Sequence, residues 1–234
     1  MTENETKQKL IDGGKVLAME GQADFTRGHI SVRRPGEPGQ FFMKPHSVGF
    51  DEITMENMLL IDLDGNVVAG TARRHSEVYI HSEIFRARPD VNCVIHTHSP
   101  SAVALSATGR PIRPLSQPSA LFVDKLPVYD ASIDLIRTAE MGRDVAASLG
   151  RHDVVLMKCH GIAVAGSSIE HAVVLTLMLE EACRIQLLVD ATGRSAPEFS
   201  DEQVLALREK LSRLEQFVVN FEYLRRKANR TSIG

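Results

Sequence analysis

The stretch that decides the fold is SEVYIHSEIFRARPDVNCVIHTHSP, residues 76–100. Its first half carries apolar residues at helical spacing, which predicts a helix from Ser76 that ends at Arg88, before Pro89. Its second half, VNCVIHTH, is apolar and rich in β-branched residues, which predicts a strand. A helix therefore leads directly into a buried strand, and two histidines stand at the end of that strand.

Further strands are predicted on both sides of this unit. The run DVVLMKC at 153–159 and the run IAVAG at 162–166 are apolar and are separated by His160-Gly161. Nearer the N-terminus, two β-type runs flank the Pro/Gly turn at 35–39, and MLLIDLDGNVVAG at 58–70 has Asp64-Gly65 between two apolar runs. Both of these patterns are typical of β-hairpins.

Helices are predicted to cover the strands. Apolar spacing and capping boxes indicate them at 5–20, at 132–149, from Ser167 to about 189 and from Ser200 to about 227. The Pro/Ser-rich stretch at 99–118 shows no clear pattern. Hairpins mixed with long helices predict an α/β fold, in which helices cover both faces of a central, mainly antiparallel sheet.

Composition excludes several classes of protein. The 234 residues fit one domain, 1–234, and a net charge of −3 does not favour a nucleic-acid or anionic-membrane partner. There is no GxGxxG or GxxxxGK[ST] motif for a dinucleotide or P-loop site. Three scattered cysteines and a polar N-terminus indicate a reducing compartment. We expect a soluble, cytoplasmic protein without a membrane span.

Three histidines are candidate metal ligands. His96 and His98 lie two residues apart on the predicted strand, so both imidazoles project from one face, although a surface pair would show the same spacing. His160 lies between two apolar strands, where a buried imidazole needs a partner. That partner is either a metal ion or a backbone carbonyl.

Glu77 is the candidate fourth ligand. A carboxylate in a first helical turn also serves as a simple complement to the helix dipole. His81 lies four residues later on the same face, and we interpret it as a helix-surface residue rather than as a support for Glu77. Three histidines and one carboxylate suit a borderline ion such as zinc, which polarises a carbonyl and stabilises an enolate. The carboxylate would then act as acid or base.

The order of these motifs resembles the class II aldolase/adducin family. The resemblance rests on GHISVR at 28–33, on residues 76–100 and on LMKCHGIAVAG at 156–166, and it spans about residues 8–228. It implies a three-layer α/β/α sandwich assembled as a homotetramer, with active sites at subunit interfaces. It also implies one divalent metal ion per subunit, zinc or else manganese, magnesium or cobalt, held by His96, His98 and His160. Glu77 would be the acid/base and possible fourth ligand, and Tyr223 of a neighbouring subunit would protonate the product.

The resemblance also bears on the substrate. Family members that act on sugar phosphates bind the phosphate with an Asn in GNxSxR, a Thr-Gly pair and a Ser-Ser pair. In this sequence the three positions hold His29, His46-Ser47 and His75-Ser76. Loss of the glycine of the Thr-Gly pair reduces the freedom of backbone N–H groups to surround a phosphate, although imidazole contacts phosphate too.

Such a pocket, with Ser31 and Arg33 nearby, better suits a carboxylate or a ring hydroxyl. The change to Gly-His is similar to the branch of the family that decarboxylates hydroxylated aromatic or heteroaromatic (di)carboxylic acids. Alternatives are an aldolase or 4-epimerase acting on a ketose phosphate such as fuculose or ribulose phosphate, and dehydration of a thiosugar phosphate. A non-catalytic adducin-like module would lack the metal ligands that this chain keeps. The final proton would come from Tyr223, His29 or water.

Overall fold

The computed structural model describes residues 1–231 and contains one eight-stranded sheet. Its strands in chain order are β1 (His29–Arg34), β2 (Glu37–Met43), β3 (Leu59–Asp62), β4 (Val67–Ala69), β5 (Cys93–Thr97), β6 (Val128–Tyr129), β7 (Val154–Met157) and β8 (Gly161–Gly166). Their spatial order is β4-β3-β2-β1-β5-β8-β7-β6. Of these pairings, β6 with β7 is parallel and the others are antiparallel. The predicted mainly antiparallel sheet is confirmed. The predicted domain, 1–234, includes three residues beyond the described part.

Helices cover both faces of this sheet. They are α1 (Glu3–Met19), α2 (Val78–Ala87), α3 (Pro100–Thr108), α4 (Ala139–Leu149), α5 (Ile169–Ala191), α6 (Asp201–Leu211) and α7 (Leu214–Thr231). Apolar side chains of α2 and α4 form one core, and those of α1, α3, α5 and α7 form the other. Among residues 1–231, none of the helices combines the length and the apolar character needed to cross a bilayer.

The central strands are buried on both sides because their side chains alternate between the two cores. In β5, Cys93 and Ile95 belong to the core under α5, whereas Val94 between them belongs to the core under α2 and α4. Strand β8 repeats the arrangement. This double burial explains why both strands are continuous apolar runs in the sequence.

The helix predictions need correction at several points. Residues 100–108, which lie in the unassigned stretch, form α3, and the Glu180 carboxylate of α5 caps its first turn by accepting from Ser101 N and Ala102 N. A cap supplied from so far along the chain leaves no local pattern. Helix α4 begins at Ala139 rather than at 132, because Thr138 caps it through Met141 N.

The long C-terminal helix predicted from 200 to 227 is two helices, α6 and α7, which separate at residues 212–213. Arg208 of α6 donates hydrogen bonds to the carbonyls of Ala120 and Val123. Phe217 and Phe221 of α7 are buried in the core that also contains α5. Each helix is therefore held by a different part of the molecule, and the break contains neither glycine nor proline.

Replacement of Gly142 should destabilise the packing of α4 on α2. A Cβ at Gly142 would lie 2.5 Å from the carbonyl oxygen of Tyr79, which is backbone and cannot rotate away. We expect Gly142→Ala to lower the free energy of unfolding by about 1–3 kcal/mol. Gly39→Ala is the control, since no atom of the described residues lies within 4 Å of that added carbon. Urea titration provides the measurement, and equal midpoints for the two variants would contradict the expectation.

Candidate metal centre and its cavity

Three elements bring the four candidate ligands together. His96 lies in β5 and His98 directly follows it, His160 lies in the turn between β7 and β8, and Glu77 is the N-cap residue of α2. One ligand atom from each of the four side chains lies within 4.8 Å of all the others. The four residues that the sequence singled out therefore form one group that could hold a metal ion.

The distances within this group suit tetrahedral coordination. His96 Nε2 lies 3.2 Å from His98 Nε2 and 3.9 Å from Glu77 Oε2, and His160 Nε2 lies 3.5 Å from Glu77 Oε1. Ligand atoms placed about 2.1 Å from a tetrahedral ion lie about 3.4 Å apart. Small side-chain adjustments would centre an ion among them.

Gly161 permits this convergence. A Cβ at residue 161 would collide with the carbonyl oxygen of Thr97 and would lie 3.2 Å from ring atoms of both His96 and His98. Cys159, on the other side of His160, has a φ of 58°, in the left-handed region that non-glycine residues rarely adopt. The turn is thus shaped to place His160 against the end of β5.

The hydrogen-bond partners of the imidazole nitrogens also fit a metal site. His96 Nδ1 donates a 2.9 Å hydrogen bond to the carbonyl of Ile162, which can only accept, so the lone pair of its Nε2 is free to bind a cation. His98 Nδ1 lies 3.1 Å from Asp24 Oδ2. Both ring nitrogens of His160 are buried without a hydrogen-bond partner among the described residues. An orphaned imidazole is costly, and a bound ion removes that cost for Nε2.

Burial keeps these imidazoles neutral, which is the form that binds metal. It lowers the pKa of His160 to about 4, with a further contribution from His98. It also lowers the pKa of His96 well below its ordinary value, aided by His160 and His98. The imidazoles therefore do not need to lose protons before they take up a cation near neutral pH.

Glu77 does not act as a helix cap. Its side chain makes no capping hydrogen bond, and its Oε1 instead accepts one of 2.9 Å from the backbone N–H of Ile136. Burial raises the pKa of the Glu77 carboxyl, although this N–H and the charge of Arg137 oppose the shift. A carboxyl group in this environment can carry a proton nearer to neutral pH than an exposed one can.

A cavity of about 760 Å³ opens on this group. His46, His75 and Ser76, all proposed from the sequence as substrate-binding residues, line it together with Glu77, His98 and His160. Asp24 and residues 133–135 line it too, and the sequence analysis did not identify them. They belong to irregular segments whose patterns carry no indication of a site.

Ser47 keeps the backbone conformation of the glycine that it replaces. Its φ is 62°, so the loop keeps a backbone conformation that glycine favours. Its hydroxyl lies 2.6 Å from His46 Nδ1. The substitution of His46-Ser47 for Thr-Gly therefore changes the side chains at this position rather than the course of the backbone.

Besides Ser47 and His29, three of the predicted substrate-binding or acid/base residues do not line the cavity of this chain. Arg33 was expected to contact substrate, but its guanidinium donates to the carbonyls of Val91, Phe85 and Arg88 and thereby ties β1 to the end of α2. Ser31 is fully buried, and its hydroxyl contacts His81. Tyr223 is half-exposed on α7, and its contribution from a neighbouring subunit stays a prediction.

His29 and His81 form a buried pair beside the metal group. His29 Nδ1 lies 2.6 Å from His81 Nε2, and His29 Nε2 lies 3.9 Å from Glu77 Oε2. The interpretation of His81 as a helix-surface residue is wrong, because its side chain is 0% exposed. Its position four residues after Glu77 was the available indication, since it places both residues on one helix face.

Comparison with known proteins identifies the family. Residues 8–187 match the family described as Class II Aldolase and Adducin N-terminal domain. The chain belongs to the class II aldolase/adducin family. The resemblance inferred from the motifs is confirmed, and the predicted fold class with it.

Its relatives in this family include decarboxylases and aldolases. The chain is 31% identical over 205 residues to the 3,4-dihydroxyphthalate decarboxylase of Arthrobacter keyseri, covering 82% of each chain. It is 34% identical over 173 residues to decarboxylase NovR of Streptomyces niveus, covering 73% of this chain but only 64% of NovR. The L-fuculose 1-phosphate aldolase from Glaciozyma antarctica PI12 superposes with a TM-score of 0.87 at 25% identity, covering 98% of this chain and 90% of that one. These similarities support an enzyme of the lyase class.

Removal of one imidazole should remove the metal. We expect His160→Ala to weaken zinc binding by about 100-fold or more, because three ligands remain and the site gains a void. Zinc retained after dialysis would be measured by elemental analysis, and the affinity by calorimetry. His152→Ala is the control, since that imidazole lies at a separate cavity. If both variants retained equal zinc, this assignment of His160 would be wrong.

The metal-free chain should lose stability on mild acidification. Burial lowers the pKa of His75 to about 3 and that of His160 to about 4, whereas histidine in an unfolded chain titrates near ~6.5. Between these values the unfolded chain binds protons that the folded chain does not. The free energy of unfolding should therefore fall as the pH drops from about 6.5 towards 4, by up to about 1.4 kcal/mol per pH unit for each such histidine.

Urea titrations at about pH 7 and about pH 5, with a chelator present, measure this loss. His75→Gln removes one of the contributing imidazoles and should show a smaller loss than the wild type. Unfolding midpoints that do not change between the two pH values would contradict the assignment of buried neutral histidines.

Proposed function

We propose that the chain is a divalent-metal-dependent lyase that decarboxylates a hydroxylated aromatic or heteroaromatic (di)carboxylic acid. The observation that carries this proposal is the conjunction of a complete Glu77/His96/His98/His160 group with a cavity lined by His46, His75 and Ser76. The relatives named as decarboxylases support it. The complete ligand group argues against a non-catalytic, adducin-like module.

The cavity suits an aromatic acid in size and in chemistry. A volume of about 760 Å³ lies in the usual range for small-molecule sites, roughly 300–1,000 Å³. Its lining combines imidazoles and Ser76 with the apolar side chains of Val103, Ile133 and Leu135. Such a surface accepts a flat ring on the apolar part and carboxylate or hydroxyl oxygens on the polar part.

The reaction consumes one proton. The bond between the ring carbon and the carboxylate breaks, carbon dioxide leaves, and the electron pair that remains on the ring carbon takes up a proton. A divalent ion, when bound, supplies positive charge that polarises adjacent hydroxyl and carboxylate oxygens and stabilises the negative charge left on the ring. The protein has to orient the acid and to hold a proton near the carbon that receives it.

Glu77 is the group best placed to hold that proton. The residue is 6% exposed and borders the cavity. Ile136 N–H holds Oε1 in place, and burial raises the pKa of the carboxyl. We assign Glu77 the role of acid/base, and we propose that it is also a ligand when substrate is not bound.

Further parts of the proposal come from the family resemblance. We propose zinc as the ion, one per chain, and a single domain that assembles as a homotetramer in the cytoplasm. In that assembly the active sites would lie at subunit interfaces, and Tyr223 of a neighbouring subunit would reach the cavity. The exposure of Tyr223, 52%, leaves its side chain available for such a contact.

A second candidate is an aldolase or epimerase acting on a ketose phosphate. It is favoured by Ser47, whose φ of 62° keeps the glycine-type loop conformation, and by the structural similarity to an L-fuculose 1-phosphate aldolase. His46 and Arg27 at the cavity are groups that can contact a phosphate. The two candidates share the metal group and differ in the substrate.

A direct comparison of substrates separates the two candidates. Zinc-loaded protein should release carbon dioxide from ortho-hydroxylated aromatic diacids, with 3,4-dihydroxyphthalate as the first compound to test. L-Fuculose 1-phosphate and L-ribulose 5-phosphate serve as the alternatives, assayed for release of dihydroxyacetone phosphate and for epimerisation. Rapid conversion of a sugar phosphate together with no reaction on the diacids would overturn the decarboxylase proposal.

Glu77→Gln should separate metal binding from turnover. The amide keeps the size of the side chain and one oxygen, so we expect most of the zinc to remain. Because the amide cannot exchange a proton as the carboxyl does, kcat should fall by about 100-fold or more. Steady-state kinetics and zinc content measured on the same preparation test this, and near-normal turnover would refute the acid/base role.

A further inference from the structure

A chain of three buried side chains leads away from the metal group. Ser31 Oγ lies 2.6 Å from His81 Nδ1, and His81 Nε2 lies 2.6 Å from His29 Nδ1. The remaining nitrogen of His29, Nε2, lies 3.9 Å from Glu77 Oε2. All three side chains are almost completely buried. Each member can therefore exchange protons or hydrogen bonds mainly with its neighbours in the chain.

The protons shared among Ser31, His81 and His29 can be counted. His81 is 0% exposed and His29 is 1% exposed, and burial disfavours the charged imidazolium, so each ring is neutral and carries one N–H. Only two arrangements satisfy both short contacts. Either Ser31 donates to His81 and His81 donates to His29, or every donor–acceptor direction is reversed.

The geometry favours the arrangement in which Ser31 donates. The reversed arrangement directs the Ser31 hydroxyl at the carbonyl of Val94, which is 3.5 Å away and beyond the usual O–H···O range of about 2.5–3.0 Å. The reversed arrangement would also direct a lone pair of His29 towards the Glu77 carboxylate.

We infer that Ser31 and His81 are positioning residues that hold His29 in the tautomer with its proton on Nε2, facing Glu77. In this state His29 is a permanent hydrogen-bond donor on the Oε2 side of the carboxylate, while Ile136 N–H holds Oε1. The contact of 3.9 Å becomes a hydrogen bond when the carboxylate moves by about 1 Å. The consequence for turnover rests on the proposed function, whereas the tautomer does not.

The hydrogen-bonded series Ser31–His81–His29 does not relay protons from solvent. It ends at Ser31, whose side chain is 0% exposed. If His29 released its Nε2 proton into the cavity and the chain shifted to replace it, Ser31 would be left as a buried alkoxide, which is strongly unfavourable. His29 therefore orients Glu77 rather than protonating the product, and the proton that the reaction consumes enters from the cavity side.

Nuclear magnetic resonance of the full chain tests the tautomer directly. Protein labelled with ¹⁵N-histidine, both metal-free and zinc-loaded, would be examined by long-range correlation of the ring nitrogens with the carbon-bound ring protons. The His29 signals are assigned by their loss in His29→Gln. We expect a protonated Nε2 and an unprotonated Nδ1 in both His29 and His81. A protonated Nδ1 in His29 would overturn the inference.

Two variants of equal size test the consequence. In His81→Gln the amide can still donate to His29 Nδ1, whereas in His81→Glu the carboxylate can only accept and should reverse the tautomer of His29. We expect His81→Glu to have a kcat about 10-fold lower than that of His81→Gln, with a smaller difference in KM and with equal zinc content. Equal activity in the two variants, with His29 in the same tautomer, would show a merely structural role and refute the inference.

If His81→Glu does not fold, Ser31→Ala removes the terminal hydroxyl proton and should give His29 signals from both tautomers, whereas Ser31→Thr keeps the hydroxyl and should restore one. If the wild type converts no aromatic acid, the decarboxylase proposal fails, and the ring-nitrogen spectra still decide whether Ser31 and His81 set the tautomer of His29.

Discussion

The candidate site depends on the close approach of the turn between β7 and β8 to the end of β5. Because residue 161 is a glycine, the backbone of this turn passes directly against Thr97, where any side chain would collide with the carbonyl. That contact brings His160 beside His96 and His98, and the start of α2 then supplies Glu77. A sheet buried on both faces makes this geometry rigid, since neither strand can shift without disturbing two cores.

Burial has two opposite electrostatic effects in this site. It lowers the pKa of the imidazoles, so they stay neutral, and it raises the pKa of the Glu77 carboxyl. Both effects disfavour charge in the metal-free protein. The neutral imidazoles are ready to bind a cation, whereas a protonated Glu77 has to release its proton before it becomes a ligand. Neutral imidazoles also allow the ordered hydrogen bonds of His29, His81 and Ser31, because an imidazolium donates from both nitrogens and has none left to accept a hydrogen bond.

The sheet with the candidate ligands and the opposite lining of the cavity lie in different parts of the molecule. The candidate ligands lie in β5 or directly beside β5, β8 and α2, which are regular elements packed into the two cores. The side chains that face the cavity from the other side, His46, His75 and residues 133–135, come from irregular segments. Such segments change without cost to the core, so one metal group can serve different carbon–carbon bond cleavages.

The sequence by itself determined the family, the sheet and the four candidate ligands, because apolar periodicity and the spacing of His96, His98 and His160 are local properties of the chain. Only the tertiary structure decided which other residues join them. Contacts distant in sequence bring Ile136 N–H, Asp24 and His81 to the site. Arg33, which was predicted to be there, instead donates hydrogen bonds to backbone carbonyls. The direction of a side chain at a loop or on a helix depends on what packs against it, and local patterns do not record that partner.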